Sequence, residues 1–109
     1  FSPGLGSDPD FNMKLWKIGV RLFKGLSECR VYHFSSITLR KKSWNNGAKT
    51  FLKKWGITIK FFRKYYLRTH KNFDGPLTEP KKNVIYYFNL TKCKINLFYI
   101  SIYGYLFSR

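Results

Sequence analysis

The chain has 109 residues, of which 44% are hydrophobic, and it carries a formal net charge of +16. This length is enough for one small domain with its own core. Such a charge attracts phosphate, nucleic acid or an anionic membrane surface, and it does not choose among them. Cys29 and Cys93 lack the short spacing of metal ligands, which argues against a zinc site or a disulfide framework and favours free thiols in a reducing compartment.

The first predicted element is a helix that starts near Asp8. Ser7 and Asp10 have the spacing of a capping box, and acids in the first turn favour the positive end of the helix dipole. Gly19 is the expected end of this helix. Its predicted buried stripe, at helical spacing, consists of Phe11, Leu15 and Ile18.

Two short strands are predicted after this helix. Side chains alternate between two faces in the segments "VRLFKG" (residues 20–25) and "CRVYHF" (residues 29–34). The turn "GLSE" connects the two segments. Residues 35–47 are polar and cationic without a clean period, which predicts a loop. The expected order is therefore helix, strand, turn, strand and loop.

Two further helices are predicted in the centre of the chain. Asn45 or Asn46 caps the first, which runs to about Trp55 and ends at Gly56. Its predicted buried residues are Phe51, Leu52 and Trp55. The second runs over residues 58–68 with cations facing outward. Its predicted inward residues are Ile59, Phe62, Tyr65 and Tyr66.

The rest of the chain divides into a connection and a tail. Gly75, Pro76 and Pro80 among polar residues mark 69–83 as a connection. Residues 84–107 are aromatic and aliphatic, but they fit alternation and helical spacing equally poorly. The uninterrupted apolar run from Leu97 is shorter than the roughly 20 residues that span a bilayer.

Three polar residues near the start are candidates for chemistry. Asp8 and Asp10 are explained first as capping acids, although Asp-x-Asp is also a pattern for divalent metal with nucleotide phosphates. Such a metal pair usually follows an apolar strand, whereas this one follows a glycine loop. His33, at a predicted strand end, is either a surface histidine or a contact for metal or phosphate. The segment "HFSSITLRKK" adds hydroxyl donors and cations, the groups that an anionic ligand needs.

Three stretches, in this order, resemble the C-terminal part of bacterial glycosyltransferase family 2 enzymes: "FSPGLGSDPDFNMKLWKIGVRLFKGLSECRVYHFSSITLRKK", "NNGAKTFLKKWGITIKFFRKYYLR" and "GPL". In that family an acidic pair opens a helix ending at Gly, and a strand ending in Val-Tyr-His or similar follows. The resemblance covers residues 1–77. It implies an α/β fold in which residues 1–77 are the C-terminal part of a GT-A catalytic domain with a Rossmann-like mixed sheet. Residues 78–109 are then an aromatic and basic tail.

The resemblance also implies roles for individual residues. Asp8 would be the general base that removes a proton from the acceptor hydroxyl, and Asp10 would be its catalytic neighbour that orients the helix start. Ser7 stands where that family often has Glu. His33 would complete a Mg²⁺ or Mn²⁺ site or contact the diphosphate. The residues of the loop that would close on the donor are Ser36, Thr38, Arg40 and Lys41.

The implied reaction is inverting transfer of a sugar from a nucleotide diphosphate donor to a glycan or lipid-linked acceptor of the cell envelope. It places the protein in the cytoplasm, with possible peripheral contact at the inner face of the cell membrane. The nucleotide-binding half of that family lies upstream of the segment resembled here. We therefore interpret the chain as a fragment that does not catalyse alone.

Two other classes compete with this reading. The segment "KKWGITIKFFRKYYLR" interleaves cations with aromatics, as a small nucleic-acid-binding protein would. Its helical period, however, places most of those aromatics on one face, as in a core, so no nucleic-acid partner is expected. The third class is a membrane-surface protein that uses the tail as an interfacial element, which is compatible with a lipid-linked acceptor.

Overall fold

The structure is a computed structural model that describes residues 6–25 and 46–106, with the side chains of 104–106 excepted. Four helices form its regular structure: α1 (Ser7–Lys17), α2 (Gly47–Trp55), α3 (Ile59–Tyr65) and α4 (Val84–Leu106). No strand occurs in these two ranges. The expected α/β fold with a GT-A mixed sheet is therefore wrong, and the described residues form a small helical domain.

Residues 20–25, predicted as a strand, run as irregular chain beside α1. The Arg21 guanidinium donates hydrogen bonds to the carbonyl oxygens of Trp16 (2.7 Å) and Val20 (3.1 Å) and lies 4.0 Å from the centroid of the Trp16 ring. Phe23 stacks on the same ring at 6.4 Å, whereas Leu22 is exposed. The alternation in residues 20–25 therefore reflects contacts with helix α1, and these residues do not pair in a sheet. The second predicted strand, 29–34, lies outside the described residues.

Helix α1 begins and ends near the predicted residues but buries a different face. Gly6, at φ 104°, precedes it without a side-chain cap, so Ser7 does not form the expected capping box. Gly19, at φ 95°, follows its last turn as predicted. Of the predicted buried stripe, Phe11 is 61% and Ile18 is 76% exposed. The buried residues are Asp10, Met13 and Trp16.

Helices α2 and α3 lie where the sequence predicts them, but α3 buries Phe61 and Phe62, whereas Ile59, Tyr65 and Tyr66 are only partly buried. The Asn46 side chain accepts a hydrogen bond from the Lys49 N–H at 3.0 Å, and Thr58 accepts one from the Phe61 N–H at 3.1 Å. Gly56 adopts φ 71° between the two helices. Helix α3 ends at Tyr65, three residues earlier than predicted. The last turn widens there, since the Leu67 N–H donates to the carbonyl of Phe62, five residues earlier, as in a π-type turn.

The tail, for which a helix and a membrane-surface segment are both open from the sequence, contains one 23-residue helix, α4. Asn83 caps its start, accepting a 2.8 Å hydrogen bond from the Tyr86 N–H. Tyr86 and Cys93 are buried, while apolar side chains also cover the opposite side. Because apolar residues lie on both sides of α4, the hydrophobic pattern shows no clear helical period, and the sequence does not identify the helix. In the described ranges, no helix combines the length and the apolar character needed to cross a membrane.

One hydrophobic core joins all four helices. Aromatic rings dominate it: Phe51 and Phe62 are completely buried with ring centroids 6.0 Å apart, and Tyr86 lies 5.1 Å from Phe61. The buried hydrophobic residues are Met13, Trp16, Phe51, Leu52, Ile57, Phe61, Phe62, Tyr86 and Cys93. Tyr86 and Cys93 belong to the predicted tail (residues 78–109). They therefore lie in the same core as residues from the segment before residue 78.

Candidate functional site

Two acids at the start of α1 have opposite environments. Asp8 is exposed, and its carboxylate receives a 3.4 Å hydrogen bond from the neighbouring Ser7 hydroxyl. Asp10 is 4% exposed although it lies only two residues further on. Residues two apart on a helix point about 200° apart, so one side chain faces water while the other faces the protein.

Three side chains surround the Asp10 carboxylate. The Lys54 ammonium lies 2.8 Å from Oδ1 and 2.9 Å from Oδ2, and the Trp55 indole N–H donates to Oδ1 at 2.7 Å. Lys14, one turn along α1, lies 3.2 Å from Oδ2. The carboxylate is thus paired and hydrogen-bonded, as a buried charge has to be. This contact fastens the first turn of α1 to the last turn of α2.

The pKa of Asp10 follows from these contacts. Burial disfavours the charged form and raises the pKa, whereas the hydrogen bonds from Lys54, Trp55 and Lys14 lower it. The hydrogen bonds dominate, so the pKa of Asp10 lies below its ordinary value of 3.8. Asp10 is therefore ionised at neutral pH and has its oxygens occupied. A carboxylate that is weakly basic and already hydrogen-bonded is better suited to anchoring a helix than to accepting a proton.

Helix electrostatics explain why this contact forms where it does. Asp10 belongs to the first turn of α1, where the helix dipole favours an anion. Lys54 belongs to the last turn of α2, where the dipole favours a cation. The sequence predicts that Asp10 lies at the start of a helix, but it does not identify Lys54 and Trp55 on α2 as the partners of Asp10. The one available signal is that Asp10, Met13 and Trp16 recur at helical spacing, so the acid shares a face with two large apolar residues.

The remaining predicted site residues lie outside the described residues. They are His33, Ser36, Thr38, Arg40 and Lys41. Within 6–25 and 46–106, no three His, Cys, Asp or Glu side chains lie close enough together to hold a metal ion. The expected Mg²⁺ or Mn²⁺ site therefore depends on His33 and stays a prediction.

A second polar site, not predicted, is a cationic cavity of about 310 Å³ between the end of α3 and the start of α4. Its charged and titratable lining residues are Lys64, Arg68, His70, Lys71 and Lys81. The Arg68 guanidinium donates to the carbonyl oxygen and hydroxyl of Thr78, at 3.0 and 2.8 Å. None of the ion pairs found in the described part of the chain includes these side chains. The cavity therefore concentrates positive charge without an acidic partner among residues 6–25 and 46–106.

Comparisons with family models, with curated proteins and with solved structures give no match to this chain.

Proposed function

We propose that this chain supplies the acceptor-side carboxylate of a glycosyl-transfer site, with Asp8 as the general base. The observation that carries the proposal is the contrast between the two acids: Asp10 is anchored to Lys54 and Trp55, while Asp8 is exposed beside it. A general base must reach the proton that it removes and must not be neutralised by an ion pair. Asp8 is exposed to solvent, and none of the ion pairs among the described residues includes it.

The contacts of Asp10 also support the proposal, because they hold the helix start that carries Asp8. A base has to be held in position relative to the acceptor hydroxyl, because a displacement of about 1 Å costs much of the rate. The contacts of Asp10 hold the first turn of α1 against α2, so the backbone that carries Asp8 has a defined place. Asp8 would take the hydroxyl proton while the hydroxyl oxygen attacks the sugar carbon and the nucleoside diphosphate leaves.

The resemblance to glycosyltransferase family 2 supports the same proposal from the sequence, since both stretches that meet at Asp10 belong to it. The free, buried thiol of Cys93 suits the reducing conditions of the cytoplasm. We place the protein there, at the inner face of the cell membrane, as part of this proposal.

The test uses the complete protein that contains this chain. Labelled UDP-, GDP- and dTDP-sugars are offered with a cell-envelope fraction as acceptor, and label transfer is measured. Asp8→Asn should lower transfer at least about 100-fold, as expected for loss of a general base, without changing the melting temperature. Asp74→Asn, at another exposed acid, is the matched control and should leave transfer unchanged. Near-normal transfer by Asp8→Asn, or no transfer from any donor, would overturn the proposal.

The cationic cavity favours a second candidate function, the binding of a phosphate-bearing polymer. Cations with no acidic partner attract backbone phosphates, and the strength of that attraction falls with salt. Of the aromatics of α3, Phe61 and Phe62 are buried in the core, whereas Tyr65 lines the cavity. Contacts to phosphate carry no sequence information, so binding through the cations of this cavity would be insensitive to base sequence.

Fluorescence anisotropy with labelled single-stranded RNA and duplex DNA tests this candidate. Replacing Lys64 and Lys71 by Gln should weaken binding and reduce its salt dependence by about two counterions. Replacing Lys17 and Lys53, exposed lysines away from the cavity, changes the net charge equally and is the control. Equal weakening by both pairs would show that net charge alone acts, and the cavity would lose its assignment.

A further inference from the structure

The outward side of α4 is an apolar stripe. Its members are spaced alternately four and three residues apart, with Thr91 in the middle, and every one of them is exposed. We name this surface the outer stripe: Val84, Phe88, Ile95, Phe98 and Ile102. On a helix of 3.6 residues per turn this spacing gives a straight row of side chains. The row lies opposite Tyr86 and Cys93, which face the core.

This stripe is not a by-product of a few scattered apolar residues. Phe98 is 66% exposed, and Tyr99 and Tyr103 add exposed rings beside it, stacked 6.2 Å apart. A continuous apolar row on an otherwise packed domain marks a surface that contacts something else. Phe, Tyr and Ile are also the residues that suit the boundary between lipid headgroups and acyl chains.

The charges beside the stripe indicate what that contact is. Helix α4 contains no acidic residue, and Lys81 and Lys82 precede it. Lys92 and Lys94 lie roughly 80° to either side of the stripe, at 100° per residue. The Lys94 ammonium lies beside Gly56, and its exposed side chain would turn outward to reach a lipid phosphate. The Lys92 ammonium lies 4.3 Å from the centroid of the Phe88 ring, so its stem follows the apolar surface while its charge stays at the edge.

We propose that α4 lies in the plane of an anionic membrane surface, with the outer stripe toward the acyl chains and its flanking lysines on lipid phosphates. The proposal does not depend on the glycosyl-transfer proposal. A second copy of the chain is a poorer occupant, because pairing two stripes would bring Lys92 and Lys94 of each helix near those of the other without an acidic residue on either helix. Anionic lipid supplies the missing negative charge.

The experiment is co-sedimentation of the 109-residue chain with phosphatidylcholine vesicles and with vesicles containing one-third phosphatidylglycerol. We expect binding to the anionic vesicles that weakens as salt increases. Replacing Ile95 and Phe98 by Gln should lower the partition coefficient at least about tenfold. Replacing Phe11 and Ile18 by Gln removes comparable exposed apolar surface from α1 and should leave it unchanged. Circular dichroism melting checks that all variants fold.

A second pair of variants tests the lysines beside the outer stripe. Replacing Lys92 and Lys94 by Gln should lower binding to anionic vesicles roughly 30-fold at low salt and leave the weak binding to neutral vesicles unchanged. Replacing Lys17 and Lys53 is the charge-matched control. Equal losses from the α1 and α4 apolar variants would show general adhesion and overturn the proposal. A dimer in light scattering that the Ile95 and Phe98 replacements dissolve, without vesicle binding, would assign the stripe to a second copy instead.

Discussion

Helices α1 and α4 pack against the same core by different means. Helix α1 buries the Asp10 carboxylate, which three side chains hold within 3.2 Å. Helix α4 buries Tyr86 and Cys93, and Tyr86 contacts rings whose centroids lie 5.1 Å away. An ionic contact depends on direction, and its loss leaves a buried charge without a partner. Ring packing depends mainly on the area removed from water, so it tolerates small rotations.

This difference also explains the faces that each helix leaves outside. On α1, the requirement to pair Asp10 turns Phe11 and Ile18 to solvent although both are large and apolar. On α4, both sides are apolar, and aromatic contacts with α3 decide which one is buried. A buried charge therefore acts together with Met13 and Trp16 to orient α1, whereas ring contacts orient α4.

The largest expected effect concerns the ring contacts of α4. Tyr86→Ala removes a buried ring and should lower the free energy of unfolding by about 3 to 5 kcal/mol. Tyr87→Ala changes the neighbouring tyrosine, which is half-exposed, and should cost less than about 1 kcal/mol. Urea unfolding followed by circular dichroism measures both. Similar losses from the two variants would mean that Tyr86 does not hold α4 to the core.

The next effect concerns the buried charge of α1. Asp10→Ala removes the carboxylate that accepts hydrogen bonds from Lys54 and the Trp55 indole N–H, and it should cost about 3 kcal/mol. This value is at the low end for a broken buried pair, because the Lys54 side chain is 39% exposed and can turn to water. Asp8→Ala, at the exposed acid, should cost under about 1 kcal/mol. If the two replacements cost the same, Asp10 would not be the residue that fixes the orientation of α1.

The pH dependence of stability separates the two helices further. Because the pKa of Asp10 is lower in the folded protein than its ordinary value of 3.8, its contribution is fully present above that value. It is lost as the pH falls below 3.8 toward the lower, folded pKa. Unfolding measured between pH 2 and 7 should therefore show a loss at the acid end that Asp10→Asn reduces and Tyr86→Phe retains. An unchanged acid profile in Asp10→Asn would contradict the ion pair.

The smallest effect compares how the two helices begin. Asn83→Ala removes the side-chain cap of α4 and should cost about 1 kcal/mol. Ser7→Ala, at the start of α1, removes no cap, since the Ser7 hydroxyl contacts only Asp8, and should change stability by less than about 0.3 kcal/mol. Thermal melting resolves this difference. A larger loss for Ser7→Ala would restore the capping box that the sequence predicted.

Most predictions that rest on neighbouring residues are confirmed, although the capping box at Ser7 is wrong. The cap Asn46, the stop at Gly56, the helix start at Thr58 and the buried pair Phe51 and Leu52 all lie where the sequence places them. Each involves groups within four residues of one another, so the chain itself contains both partners. The positive φ of Gly19 belongs to the same class.

Predictions that need a distant partner are less successful. The sequence places Asp8 and Asp10 in the first turn of α1, but it does not identify Lys54 and Trp55, 44 and 45 residues from Asp10, as partners of Asp10. The first strand failed because alternation of Arg21 and Phe23 against Leu22 fits a helix surface as well as a sheet. The candidate site at Asp8 was named from the sequence, while the separation of Asp8 from Asp10 by environment comes from packing alone.

The sequence by itself determined where α1, α2 and α3 begin, where α1 and α2 end, and which side chains cap α2 and α3, since these features depend on local hydrogen bonds and backbone preferences. Tertiary structure decided the face that each ambiguous helix buries. Both α1 and α4 have apolar residues on more than one side, so the choice depends on which neighbour offers a cation for Asp10 or rings for Tyr86. Those neighbours lie elsewhere in the chain, and only folding brings them into contact.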